Sequence, residues 1–154
     1  MIVTPIGFVR NARKQPSDDR WGGIVSEIVI ELGEEALRGI EAFSHAEVIF
    51  HFDQVPAEKI VSGARRPRDN PRWPEVGILA QRGKNRPNRL GLTTVKILKR
   101  EKNVLSVAGL DAIDGTPVLD IKPVMQEFLP QGPVGQPEWA TELMKDYWKG
   151  DLAE

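Results

Sequence analysis

Apolar and polar residues alternate along much of this chain with a period of two. "TPIGFVRN" (4–11) and the nearly alternating, β-branched "GGIVSEIVIEL" (22–32) predict the first two strands. In "SHAEVIFHFDQV", Ala46, Val48, Phe50 and Phe52 fall on one face, with His45, Glu47, Ile49 and His51 on the other. Strands are predicted again at "VGILAQ" (76–81), "LGLTTVKILKRE" (90–101), "NVLSVAGLDA" (103–112) and "TPVLDIKP" (116–123), with "EKN" as a hairpin turn. Helical spacing is confined to two places. One is "EEALRGIEAF", through Ala36, Leu37, Ile40 and Phe43; the other is "PEWATELMKDYW", through Trp139, Leu143 and Tyr147. In the latter, Pro137 suits a first helical position and Gly150 a stop. Between these elements "SGARRPRDNPRWPE" (62–75) holds three prolines and a glycine, a long irregular excursion of the kind usually tied to function or disorder.

Many strands, short connections and few helices predict a mainly β fold: a small antiparallel β-barrel or strongly bent sheet with a few short helices and a C-terminal helix. Strand–helix alternation of the doubly wound kind is missing. No G-x-G-x-x-G follows a strand and no Walker A pattern is present, so the fold is non-Rossmann. A length of 154 residues fits a single domain over 1–154 with a sizeable core. No apolar run approaches the ~20 residues of a membrane span and no secretory leader opens the chain, which gives the expectation of a cytoplasmic protein without a membrane partner. The absence of cysteine excludes disulfides, thiolate chemistry and cysteine-bound metal centres. His45 and His51 lie six apart on one strand face, about 20 Å at ~3.3 Å per residue, too far to chelate one ion, so no metal is expected. No G-x-S-x-G elbow supports a hydrolase.

Charge changes this picture by its distribution. The net charge is −1, yet residues 62–100 carry eleven Lys/Arg against two acids, a local +9 that leaves −10 for the rest. Such asymmetry gives one face an anion-attracting field. Within it, "AQRGKNRPNRLG" (80–91) sets Arg86 on a backbone stiffened by Pro87, with Asn85 and Asn88 as uncharged donors and acceptors, the composition of a recognition loop. In "GLDAIDGTPVLDIKP" (109–123), Asp111 and Asp114 flank a tight turn in which Gly115 can take positive φ; Asp114 either caps that turn or receives a ribose diol. Asp120 and Lys122 share a strand face and can form a plain ion pair. Trp21 and Trp73 suit either base stacking or packing.

Together, "TPIGFVRN", "LRGIEAFSHAEVIFHF", "VGILAQRGKNRPNRLGL" and "GLDAIDGTPVLDIKP" resemble the TrmO-like family of S-adenosylmethionine-dependent methyltransferases, in the family's order and over most of the chain. The resemblance implies a small β-barrel that binds S-adenosyl-L-methionine without a Rossmann fold, working as a homodimer with the cofactor near the subunit interface. It implies N6-methylation of threonylcarbamoyl-adenosine at tRNA position 37. The alternatives are methylation of a small molecule or another RNA, and a non-catalytic RNA-binding barrel. A Pro-Arg-Gln segment that contacts the cofactor in relatives aligns with Asp19, Arg20 and Trp21, which keep only its arginine, and a His-Gln pair aligns with Asp53 and Gln54, which keep only its glutamine. The motif arginine matches Arg82, Leu92 follows on the next strand, and the Asp-x-x-Asp motif is Asp111, Ala112, Ile113 and Asp114. For catalysis, Asp120 is the candidate base, with Lys122, Arg86 and Asn88 positioning the acceptor. Arg65, Arg66, Arg68 and Arg72 form a candidate phosphate track, joined by Lys84 and Arg89. Three positions depart from the family pattern: Gln81 stands for Ser or Thr, Arg89 for proline and Val124 for tyrosine.

Overall fold

A computed structural model describes residues 1–150. Its strands are β1 (Gly7–Arg10), β2 (Val25–Ile30), β3 (His45–His51), β4 (Ala64–Arg65), β5 (Val76–Gly77), β6 (Leu90–Glu101), β7 (Val104–Ala108) and β8 (Pro117–Pro123), and one α-helix, α1, covers Glu138–Met144. Six strands close a barrel in the order β1-β2-β7-β6-β3-β8, every pairing antiparallel. Closure removes the exposed edges that an open sheet of this size would carry.

The period-two pattern is what the barrel uses. Val9, Ile28, Ile30, Val48, Phe50, Val95, Leu105, Val107 and Val118 point inward and are almost wholly buried. The two faces of β3 divide as the alternation predicts, Ala46, Val48 and Phe50 buried and Glu47, Ile49 and His51 partly exposed. β6 is long enough to serve two neighbours. Its first half pairs with β3 from His51↔Leu90 to His45↔Lys96, and its second half turns through Lys102 and Asn103 to pair with β7. Lys102 takes the positive φ of 55° that a tight hairpin demands. Gly91 leaves room for the Phe50 ring, since a β-carbon there would meet the ring edge at contact distances no packed core tolerates.

Three expectations need correction. The helix predicted over 34–43 is absent: 3-10 turns at Glu34–Leu37 and Ile40–Ala42 flank Gly39, whose φ of 87° interrupts the helical path. Residues 76–81 are a two-residue bridge followed by a 3-10 turn at Ile78–Ala80 rather than a full strand. α1 begins just after Pro137 and ends at Met144, so Tyr147 lies beyond it and not on its stripe. The excursion 62–75 is ordered. β4 pairs with β5, and the Gln81 side-chain amide donates to the carbonyls of Arg65 (2.9 Å) and Val76 (3.0 Å), a local reason for glutamine at that departure position. Among the described residues no helix is long and apolar enough to cross a membrane.

Candidate cofactor and acceptor site

The turn after β7 is shaped by two glycines, Gly109 and Gly115, at φ of 86° and 82°. The Thr116 hydroxyl caps it by donating to the Ile113 carbonyl at 2.7 Å, so Asp114 is not the cap of its own turn. Asp114 instead anchors the end of β1: one carboxylate oxygen accepts the Asn11 amide at 3.0 Å and the other meets Lys14 at 2.7 Å. Lys14 and the Asn11 amide hold its pKa below the usual aspartate value. Asn11 completes the clamp. Its side-chain amide donates to the Ser26 hydroxyl (2.9 Å) and to the Ala112 carbonyl (2.8 Å), fixing the motif backbone against β2. Ala112 is buried, and Ile113 offers its carbonyl to Thr116.

Asp111 is held differently. One carboxylate oxygen accepts the Thr93 hydroxyl of β6 and the other the Tyr147 hydroxyl, and among the described residues no cation pairs with it. Burial, then the neighbouring Asp111 charge and hydrogen bond, push the Tyr147 phenol far above its usual value, opposed by Arg82 and Arg68. The Arg82 guanidinium donates to the Leu92 carbonyl, one residue before Thr93.

The 17–22 loop reaches the same place. Trp21 donates its amide to the Tyr147 carbonyl at 2.7 Å, while Arg20 and Gly22 pair with the carbonyls of Asp146 and Lys149, each at 3.2 Å. Arg13 holds the loop from within, donating to the carbonyls of Arg20 (2.9 Å) and Asp19 (2.8 Å) with its guanidinium 4.5 Å from the Trp21 ring centre. Asp19 receives both terminal nitrogens of Arg68 at 2.9 and 3.0 Å, a bidentate pair. Thus Tyr147 joins the Trp21 backbone to Asp111, while Arg82 and Leu92 are tied to each other one residue from Thr93, the other hydroxyl on Asp111. Trp21 and Trp73 are both buried, the packing alternative of the two their sequence left open. Asp53 and Gln54 are exposed on the turn after β3 and make no hydrogen bond to the residues above among the described residues.

Of the residues expected on the acceptor side, Asp120 and Lys122 lie on the barrel's outer face in β8, and Arg86 and Asn88 lie on the loop that precedes β6. Asp120 of β8 and Leu92 of β6 both pair with Ile49 of β3, one on either side, which puts them about 10 Å apart on one row at a strand spacing of ~4.8 Å. Asp120 is exposed and one of its oxygens accepts the Ile121 amide at 2.9 Å, leaving the other outward. Lys122 is also exposed and lies opposite Glu47 in the register; no Asp120–Lys122 ion pair forms among the described residues. Arg86 is turned onto its own loop, donating to the Gln81 carbonyl at 2.8 Å, while Asn88 is exposed.

Most of the expected phosphate track is engaged inside the protein. Arg66 donates to the Trp73 carbonyl, Arg68 holds Asp19, Arg65 sits 3.5 Å from Asp69, and Arg72 pairs with Glu142 of α1 at 3.0 Å. Arg89 takes a positive φ of 51° and donates to the Val55 carbonyl at 2.8 Å. A proline cannot adopt that φ, so this bend differs from any built on proline at the same point. Lys84 is exposed. Four residues that matter here escaped the sequence reading: Asn11, Arg13, Thr93 and Tyr147. Thr93 carried one signal, a hydroxyl at an inward position of a strand; Tyr147 was absorbed into a helical stripe.

Residues 9–128 match the model of the tRNA-methyltransferase O N-terminal domain. An S-adenosyl-L-methionine-binding protein of Archaeoglobus fulgidus is 36% identical over 133 residues, covering 83% of this chain and 92% of its own length. Human tRNA (adenine(37)-N6)-methyltransferase is 38% identical over 138 residues, and the aligned part is 83% of this chain but only 31% of the human protein. A crystal structure of TrmO from Pseudomonas aeruginosa superposes with a TM-score of 0.69 at 26% identity, covering 88% of this chain and 60% of that one.

Proposed function

This chain belongs to the family of the tRNA-methyltransferase O N-terminal domain, and we propose that it is an S-adenosylmethionine-dependent methyltransferase acting on N6 of threonylcarbamoyl-adenosine at position 37 of tRNA. The observation that carries this reading is the convergence of Arg82, Leu92, Asp111 and the 19–21 segment at one rim of the barrel, beside the Asp120 row. The donor set fits the cofactor. Asp111 is a half-buried carboxylate held by two neutral hydroxyls, which leaves its charge for a cationic or hydroxyl-bearing ligand, and Arg82 stands nearby. Bound S-adenosylmethionine supplies an electrophilic methyl group whose departure from sulfur needs no acid.

What the chain must supply is alignment and a base. Asp120, with one oxygen free on the outer face, accepts the proton from the acceptor nitrogen. Asn88 and Lys122 orient the acceptor, and Arg86 stiffens the loop that carries Asn88. Asp53 and Gln54 approach the cofactor from the turn after β3. Exposed Lys84 meets the tRNA backbone, joined by Arg72, whose side chain stays largely exposed beside its Glu142 partner; the internal engagement of Arg66 and Arg68 weighs against a bare RNA-binding barrel. The active form is a cytoplasmic homodimer with the cofactor near the subunit interface.

The human relative is about three times as long as the aligned part, so the minimal test uses this chain itself. Calorimetry with S-adenosylmethionine alone should show saturable binding, and nucleosides from a deletion strain should lack the methylated threonylcarbamoyl-adenosine. No heat at high ligand excess refutes the cofactor reading. An unchanged nucleoside profile refutes the tRNA acceptor and leaves methyl transfer standing. Sedimentation at micromolar concentration tests the dimer.

A further inference from the structure

The segment that follows the barrel is seated directly on the candidate cofactor site. Three backbone hydrogen bonds tie residues 146–149 to Arg20, Trp21 and Gly22, and Glu142 of α1 receives both Arg72 and, at 3.4 Å, the Trp73 indole. Gly22 permits this close approach, because a β-carbon there would collide with the backbone of Trp148. The seat delivers the Tyr147 hydroxyl to Asp111 across 36 positions of sequence. The family match ends at residue 128, so this contact comes from outside the matched region.

We propose that Tyr147 is a positioning residue for the methyl-transfer reaction, fixing Asp111 together with Thr93 so that the carboxylate presents its remaining acceptor sites to S-adenosylmethionine. This rests on the cofactor reading above. A carboxylate with one hydroxyl on each oxygen cannot rotate about its last torsion without breaking a hydrogen bond. Because both donors are neutral, they fix its direction without pairing its charge. An arginine or lysine in either place would have done both, and would have weakened the attraction for a cationic ligand. The tight backbone seat makes this a standing arrangement of the site and not a competitor that must be displaced.

The test is Tyr147→Phe, which keeps the ring that packs on the site and removes only the hydroxyl. Binding of S-adenosylmethionine should weaken about tenfold, equivalent to about 1.4 kcal/mol. Turnover at saturating cofactor should stay within about twofold, while the cofactor KM rises with the dissociation constant. Thr93→Val should weaken binding likewise, and Thr93→Ser, which retains the hydroxyl, should not. Wild-type affinity in Tyr147→Phe, or tighter binding, overturns the proposal and leaves the methyltransferase reading intact. Absence of cofactor binding in the wild type overturns both. The chain contains a single tyrosine, so selective labelling of the wild type adds a measurement free of folding concerns. Saturating S-adenosylmethionine should shift the Tyr147 ring resonances; resonances that stay in place overturn the assignment.

Discussion

Replacing Gly22 with alanine tests the seating of residues 146–149 most directly. A β-carbon at position 22 would lie 2.9 Å from the Trp148 carbonyl carbon and 3.0 Å from that of Lys149, with the Trp148 oxygen closer still. Non-bonded heavy atoms rest at about 3.5 Å or more, so the segment must retreat by upwards of half an ångström. The bonds from Arg20 to Asp146 and from Gly22 to Lys149 already stand at 3.2 Å, the long end of the useful range, and the retreat breaks them. Trp21 to Tyr147 lengthens with them. At about 1 kcal/mol net for each hydrogen bond, the docked state loses about 2–3 kcal/mol. That corresponds to roughly 30- to 150-fold faster amide exchange at residues 20–22, because local opening governs protection there. Barrel amides in β3 and β6 should exchange at unchanged rates, since their pairing does not involve the segment. Hydrogen exchange followed by mass spectrometry or NMR reads both regions in one experiment. Protection at 20–22 within about threefold of wild type would refute the steric reasoning, and uniform acceleration across the barrel would refute the claim that the segment opens on its own.

Asn11→Ala should destabilise the fold by about 2 kcal/mol, because it strips the donor from the fully buried Ser26 hydroxyl and from the Ala112 carbonyl. Urea unfolding measures it, and a change under about 0.5 kcal/mol contradicts the clamp. Stability should fall at both extremes of pH. Asp114 has its folded pKa depressed, so its contribution is complete above the ordinary aspartate value of about 3.9 and is lost as pH falls through the lower folded value; Lys14→Ala should shrink this acid limb. Tyr147 has its folded pKa raised, so its contribution is complete below about 10 and is lost as pH climbs toward the folded value. Tyrosinate absorbance from this single tyrosine should appear only with unfolding; its appearance near pH 10 in a folded protein contradicts the burial of the hydroxyl against Asp111. Lys84→Ala should lower the slope of log affinity for tRNA against log salt by about one, at unchanged Tm. Arg68→Ala should instead lower Tm, since it leaves the half-buried Asp19 carboxylate unpaired.

The residues alone determined the class of fold and the local motifs from which a site could be built. Period-two alternation is a local property of a strand, so the inward faces of β3, β6 and β8 are readable without knowing which strands pair. The same holds for the Asp111–Asp114 turn and the Arg82–Asn88 loop, whose glycines and proline act on their own backbone. Three-dimensional packing decided the rest, for one recurring reason: the decisive partners are remote in sequence. Gly39 at positive φ interrupts a helix whose spacing looked sound. Arg66 and Arg68, legible only as positive charges, become internal ties once the 62–75 excursion folds onto the 17–22 loop. Arg89 meets the Val55 carbonyl only because β3 and β6 lie side by side. Tyr147 reaches Asp111 only because Gly22 lets a distant segment approach the backbone. Local chemistry sets which residues can serve a site, but chain closure over long separations sets which of them meet.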